Sequence, residues 1–355
     1  MSKVVYLMGA GASFGKREKD SNGKNIPGKI LEGLPIVNEI PERLEYVKSL
    51  FAKQNVQEYK EAQQVLIKDF EWLIENTRRH ATIDTFAKKL FLTNQKDEYI
   101  KVKRLLSLFF KTEQLINRPD GRYDTFLASV LQKNDKGKLR ISDDITILTW
   151  NYDSQFEIAY KEYLSTGDYQ ETIDFPEQLG IDINTNLRQL RFSSDHSQSP
   201  QIFKINGSAS FISDYSMGRY YSYNDGILKE KWASELLKTY ISPFHPDGTP
   251  MACMLNFAWE NTKAPEYIKR LDDIVYNLES LVIIGYTFPF FNREIDTLLF
   301  EFIRRNVQTV YIQDPNANNI KESVLNIFRR TGIHFNEKKI VLKNDVEQFF
   351  LPPEL

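Results

Sequence analysis

The chain carries a single cysteine, Cys253, in 355 residues. One thiol excludes an internal disulfide framework and any zinc site built from four cysteines of this chain. An excess of one charge is also absent. Lys and Arg number 46 against 48 Asp and Glu, a formal net charge of -2. A dedicated nucleic-acid binder usually carries a clear basic excess, so direct nucleic-acid binding is not expected. No apolar run approaches the roughly 20 residues needed to span a bilayer. The N-terminus passes straight into a strand-like run without a signal-peptide pattern. These absences point to a reduced, cytoplasmic protein with no membrane partner and no metal. Histidine is scarce too, with only His80, His196, His245 and His334. What is present is a hydrophobic content of 41% and an aromatic content of 13%, enough for a real core. That length fits one large α/β domain with insertions, or two domains.

Short apolar runs that end in glycine or polar residues set the organisation. Lys3–Met8 reads as a buried parallel strand, and so do Asp144–Thr149, Gln201–Ile205, Ser280–Ile284 and Val307–Ile312. Ile295, Leu298, Leu299, Phe302 and Ile303 mark one face of a helix between the last two strands, and a final helix is expected near Asn318–Arg330. Strand, helix and strand in that order predict a parallel pair with a right-handed crossover. From about Glu42 to Phe110 the period becomes helical: Ala62, Val65, Leu66, Phe70 and Leu73, then Ile83, Phe86, Ala87, Leu90 and Phe91. The expectation is a single domain with a Rossmann-like core in 1–40, 141–163, 200–210 and 275–350. A helical insertion fills 41–140, and irregular or helical insertions fill 164–199 and 211–274. The polar stretch Lys16–Gly33 is expected to be a long mobile loop.

Five loops at the carboxyl ends of these strands carry polar or glycine-rich sequence. Gly9-Ala10-Gly11-Ala12-Ser13 permits a tight turn and close approach to a pyrophosphate, with amides at a helix N-terminus attracting its charge and Ser13 adding a hydroxyl. Thr149-Trp-Asn-Tyr-Asp153 places an amide and a carboxylate two residues apart, on one side of an extended chain. Asn151 and Asp153 equally suit the cap of the following helix. Lys204-Ile-Asn-Gly-Ser208, Gly285-Tyr-Thr-Phe-Pro289 and Gln313-Asp-Pro-Asn316 complete the set. Each alone is compatible with an ordinary turn. Together they line the edge where open α/β sheets bind ligands.

The order Gly-Ala-Gly-Ala-Ser, Thr-x-Asn-x-Asp, Gly-Ser, Gly-Tyr-Thr and a late Asp-x-Asn resembles the Sir2 family, in particular the Sir2-like proteins of bacterial antiviral defence. The resemblance runs from Gly9 to Asn316. It implies a Rossmann-like Sir2 fold in which Gly9, Ala10, Gly11, Ala12 and Ser13 hold the phosphates of NAD. Asn151 positions the ribose and attacking water, Asp153 contacts the nicotinamide amide, and Thr149 begins that segment. Gly207, Ser208, Gly285, Tyr286 and Thr287 also line the NAD site. Asp314 and Asn316 resemble the adenosine-ribose loop, and the segment around Asp84 resembles one that recurs in the bacterial branch.

Two departures follow. A single cysteine removes the structural zinc module of protein deacetylases, which moves protein deacetylation well down the list of expected activities. Where the family has His-Gly-Ser, this chain has Asn206-Gly207-Ser208, and an amide cannot exchange a proton near neutral pH as an imidazole does. His80 would share a helix face with Asp84 if one helix ran through both. Glu157 is expected to serve the first turn of its helix. The resemblance therefore implies an NAD+ hydrolase releasing nicotinamide and ADP-ribose, acting as an NAD-depleting effector. It also implies a homo-oligomer with a partner ATPase of the HerA type. The alternatives are a catalytically silent NAD or ADP-ribose-binding subunit and, third, an NAD-dependent transferase. Lys16, Arg17, Lys19, Lys24 and Lys29 read either as a gate over the pyrophosphate or as a solvated basic loop.

Overall fold

The computed structural model of the protein describes residues 4–133, 137, 139–163, 179–183, 201–211, 227–242, 253–260 and 264–355. In chain order the strands are β1 (Val4–Met8), β2 (Arg17–Lys19), β3 (Asn25–Ile30), β4 (Leu131–Lys133), β5 (Leu139–Ile141), β6 (Ile145–Thr149), β7 (Ile181–Ile183), β8 (Ile202–Lys204), β9 (Gly207–Phe211), β10 (Cys253–Leu255), β11 (Ser280–Ile284), β12 (Thr309–Gln313) and β13 (Ile340–Lys343). The helices are α1 (Ile40–Ala52), α2 (Lys60–Arg79), α3 (Ile83–Leu92), α4 (Lys96–Ile116), α5 (Gly121–Val130), α6 (Gln155–Lys161), α7 (Glu230–Ile241), α8 (Pro265–Val275), α9 (Arg293–Ile303) and α10 (Ala317–Arg330). Among the described residues no helix is long and apolar enough to cross a membrane.

Seven strands form one sheet in the order β13-β12-β11-β1-β6-β8-β7, and every pairing in it is parallel. The reason lies in β1, β6 and β11, which are buried along their whole length. Such strands need cover on both faces, the condition parallel sheets meet. Val5 and Leu7 of β1 pack with Leu271 of α8, Leu299 of α9 and Val324 of α10 on one face. Val4, Tyr6 and Met8 pack with Phe126 of α5 and Phe156 of α6 on the other. The fold is therefore mixed α/β and Rossmann-like, as its strand pattern suggests.

A third core belongs to the helical layer: Leu44, Phe51, Phe70, Phe86 and Phe109 of α1–α4, with Leu236 of α7 and Leu255 of β10. The layer ends with α4, and α5 packs on the sheet instead. Val65 and Phe91, which share the apolar period, stand 51% and 37% exposed and lie outside this core. The chain after β1 leaves toward β6 on one side and returns through β11 on the other. The carboxyl end of β1 is thus the point where strand order reverses, which opens a crevice.

Three expectations are corrected. Residues 16–33 contain an antiparallel hairpin, β2 with β3, rather than a structureless loop. Arg17 is 4% exposed and bonds Glu39 through two nitrogens, at 2.8 and 2.7 Å, so it is unavailable to a pyrophosphate. Lys16 pairs with Glu32. The glycine turn is followed by one 3-10 turn, Ala10–Ser13, and not by an α-helix. Finally, α2 ends before His80, whose backbone is extended, and Thr82 caps a separate α3 by accepting from Thr85 N–H. His80 and Asp84 therefore do not share one helix; the His80 ring packs on Phe86 with centroids 4.9 Å apart. The sheet strand β7 lies within 164–199, and 211–274 holds α7 and β10, which pairs back with β9 (Gly207–Phe211). Of the other histidines, His196 and His245 lie outside the described residues.

Candidate functional site

All five polar loops fall at carboxyl ends of sheet strands, on one edge, because the strands are parallel. At its centre two glycine turns meet. A Cβ on Gly9 would lie 2.7 Å from Gly285 O and Tyr286 Cα, and one on Gly11 would lie 2.7 Å from Gly285 Cα. Gly285 adopts φ +59, and a Cβ there would sit 2.5 Å from Gly11. The glycines are thus demanded by the packing of β1's loop on β11's loop. The amides of Gly9, Gly11 and Ala12 donate to Ile284 O, Gly285 O and Gly9 O. Ala10 is the exposed residue of this turn. Gly285→Ala combines a backbone clash with a left-handed φ, and it should destabilise the protein by about 2 kcal/mol or more. Gly332, at φ +77 with no atom within 4 Å, is the control: its Ala variant should lose only about 1 kcal/mol in thermal unfolding.

Beside this double turn Ser13 gathers three partners. Asn151 Nδ2 donates to Ser13 Oγ at 3.0 Å and to Gly9 O at 3.0 Å. Ser13 Oγ donates to Asp153 Oδ2 at 2.7 Å and lies 2.8 Å from Tyr123 Oη. Its one proton goes to Asp153, so it holds the amide and the carboxylate in fixed relation. The backbone N–H of Asn151 donates to Thr149 Oγ1 at 3.1 Å, and Asp153 Oδ1 accepts from Gln155 N–H at the start of α6. Asp153 therefore does serve as a cap, and it joins the Ser13 cluster through its other oxygen. All four residues of Thr149, Asn151, Asp153 and Ser13 are buried.

Arg122 and Lys204 complete the cluster. Arg122 at the start of α5 donates to Gly11 O and Ala12 O, clamping the turn from outside. Lys204, 1% exposed at the end of β8, donates to Asp153 O at 2.6 Å and to Glu157 Oε1 at 2.5 Å. Glu157 lies in the first turn of α6, as expected, and is also half of a buried ion pair. Burial pushes the Asp153 carboxyl above its usual range, while the Lys204 charge and the Ser13 hydrogen bond pull it back. Lys204 carried a signal: a lysine inside Ile-Phe-Lys-Ile must find a partner if the strand is buried. Tyr123 and Arg122 carried none, being more than a hundred residues from Ser13 and Gly11.

Asn206 is 7% exposed where the chain turns out of the sheet, just before Gly207 at φ +72. Its Nδ2 donates to Trp150 O at 3.0 Å and its Oδ1 accepts from Ala258 N–H at 3.0 Å. The side chain is a brace between the β6 loop and the segment under the helical layer. Ser208 Oγ and Trp150 Nε1 are buried and have no hydrogen-bond partner among the described residues. An unsatisfied buried donor costs about 1–3 kcal/mol. Trp150 stacks on Tyr286, centroids 5.2 Å apart at 12°. Tyr286 in turn donates to Asp296 and accepts from Asn292. Thr287 is exposed, and Phe288 holds φ 55, a strained value for an aromatic residue of the kind that clusters at functional sites.

Asp314 and Asn316 stand apart from this cluster. Asp314 Oδ1 accepts from Asn316 N–H at the start of α10, and its backbone N–H donates to Lys343 O of β13. Asp84, the second residue of α3, accepts from Tyr152 Oη at 3.0 Å. Burial raises its pKa to about 6, against the pull of that hydrogen bond. The folded pKa exceeds the unfolded value of 3.8, so Asp84's contribution to stability falls as pH rises from about 4 through about 6. Asp84→Asn keeps an acceptor for Tyr152 and removes the buried charge. It should raise the melting temperature at pH 7–8, and the gain should vanish near pH 4. A cleft of about 330 Å³ on the α1–α2 surface lies away from these loops, and its Lys48, Arg78 and Arg79 pair with neighbouring glutamates.

A Rossmann-like α/β protein with a polar, partly unsatisfied cluster at its strand-order reversal is what the fold and site define. No family model matches the chain, and no curated protein matches it significantly.

Proposed function

We propose that the protein is a Sir2-like NAD+ hydrolase that releases nicotinamide and ADP-ribose, serving as an NAD-depleting effector in antiphage defence. The observation that carries this reading is the convergence of the Asn151 amide and the Asp153 carboxylate on Ser13, beside the Gly9–Gly11 turn at the crevice. The leaving nicotinamide is already cationic in NAD+, so breaking its bond to ribose needs orientation, exclusion of bulk water and one placed water more than it needs acid catalysis. A buried amide and carboxylate at fixed spacing suit that work. Ser208 Oγ, Trp150 Nε1 and exposed Thr287 offer donors to the ribose, amide and phosphate groups of such a ligand. Homo-oligomerisation and triggering by a HerA-type ATPase belong to the same proposal. The test is to incubate purified protein with NAD+, with and without its native neighbours, and quantify nicotinamide. Binding without turnover under every condition overturns the hydrolase.

A second reading, a silent NAD or ADP-ribose-binding subunit, is favoured by one observation. Both ends of the Asn206 amide are consumed in structural bonds, so this position supplies no proton acceptor. Saturable ADP-ribose binding by calorimetry, together with absent turnover, is the result that reading requires.

A further inference from the structure

We infer that the segment after β13, residues 345–350, positions this site by holding Tyr123 and Arg122 against the Ser13 turn. Tyr123 in turn fixes the direction in which Ser13 gives its proton. The inference rests on the hydrolase reading.

The segment is itself pinned to the sheet. Gln313, buried at the end of β12, donates from Nε2 to Asp345 O at 2.7 Å and to Gln348 O at 2.6 Å. Its Oε1 accepts from Phe350 N–H at 2.9 Å. One amide thus satisfies three backbone groups, which is the use of Gln313 in the last of the five polar loops. The Tyr6 hydroxyl of β1 donates to Phe350 O at 3.1 Å.

Phe349 is the one buried residue of 345–350. Its ring meets Tyr123 edge-on, with centroids 5.1 Å apart at 90°, and Phe156 meets Tyr123 from α6 at 4.7 Å. The Arg122 guanidinium lies 5.0 Å from the centre of the Phe349 ring and donates to Val346 O at 3.2 Å. Its other nitrogen reaches Gly11 O at 3.0 Å and Ala12 O at 3.2 Å. The segment therefore grips both residues of α5 that touch the glycine turn.

The direction of the Ser13 bond follows from counting. A serine hydroxyl has one proton and two lone pairs. Asn151 Nδ2 donates to one lone pair, and the proton goes to Asp153 Oδ2 at 2.7 Å. Tyr123 Oη, 2.8 Å away, must then donate to the second lone pair. The chain runs one way, from Tyr123 through Ser13 to the carboxylate, and each bond polarises the next. Ser13 has no proton left for a phosphate. Its part is to space Asn151 and Asp153, and without the Tyr123 hydroxyl it loses one of three supports.

The experiment uses the full chain, with its native neighbours where turnover requires them. It compares wild type with Tyr123→Phe, Phe349→Leu, Ser13→Ala and the double variant Tyr123→Phe, Ser13→Ala. Tyr123→Phe keeps the ring contacts, so the melting temperature should fall by only about 3 °C. Its kcat should fall about 10- to 100-fold, while KM for NAD+ stays within about threefold. Phe349→Leu, one step further from Ser13, should lower kcat by a smaller factor with the same split. The double variant should be no slower than Ser13→Ala alone, because Tyr123 acts through Ser13. Tyr123→Phe turning over at the wild-type rate overturns the inference and leaves the hydrolase standing. Effects that multiply in the double variant also overturn it, and so does a loss of NAD+ affinity matching the loss of rate. Phe349→Leu at the wild-type rate overturns the part given to the segment. A wild type that binds NAD+ and never cleaves it overturns the hydrolase reading, and this inference with it.

Discussion

Lys204→Met should destabilise the protein by about 3–5 kcal/mol, the usual effect of stripping one partner from a buried ion pair. The melting temperature should fall by about 4–7 °C. Lys204 and Glu157 are 1% and 0% exposed at their side chains, so water cannot replace the lost partner. Methionine fills the volume of the lysine stem and supplies no charge. Glu157 Oε1 would then lose the ammonium that pairs with it, and Asp153 O would lose its 2.6 Å donor. The double variant Lys204→Met, Glu157→Met removes the charge problem from both sides and should recover much of the loss. The cycle should show coupling of about 2 kcal/mol or more. A single variant that melts within a degree of wild type, or a double variant no better than the single, contradicts this account. Because Lys204 also grips the Asp153 backbone, the single variant should loosen the Ser13 cluster before it unfolds the sheet.

That pair also marks how far the sequence could be read. The central strands announce themselves because a strand buried on both faces must be apolar throughout, as Val4–Met8 and Ser280–Ile284 are. The edge strands β7 and β13 gave no such signal, since each is short and half-covered at alternate or later positions. The β2–β3 hairpin was illegible for another reason. Its strands are Arg-Glu-Lys and Asn-Ile-Pro-Gly-Lys-Ile, and what fixes them is Arg17 buried against Glu39, twenty-two residues away. The break between α2 and α3 was legible in principle, because Thr82 stands where an N-cap belongs. At the site, glycine, asparagine and aspartate were found because turn chemistry confines them to strand ends. Tyr123, Arg122 and the partner of Lys204 were not, because only the folded sheet brings them to Ser13, Gly11 and β8. The glycines themselves changed meaning. Spacing suggests a phosphate cradle, while packing shows Gly9 and Gly11 pressed on Gly285 with most of their amides already used.

If the protein is the NAD+ hydrolase proposed above, Asn151→Ala should lower nicotinamide release by about 100- to 1,000-fold in kcat, the range seen when one preorganised polar group is removed from a reacting centre. The variant loses donors to Gly9 O and Ser13 Oγ. Gly9 O still accepts from Ala12 N–H, and Ser13 still reaches Asp153 and Tyr123. The fold should therefore survive with a loss of about 1–2 kcal/mol. The split between constants is informative. If Asn151 orients ribose and water in the transition state, kcat falls and KM for NAD+ changes little. If it only fastens the glycine turn, NAD+ affinity and melting temperature fall together, and Ser13→Ala reproduces the effect by cutting the same cluster. Asn151→Asp sharpens the distinction, since it keeps the shape but sets a second carboxylate beside Asp153, which like-charge repulsion disfavours. Rates from a folded Asn151→Ala protein equal to wild type would remove this crevice from the chemistry altogether.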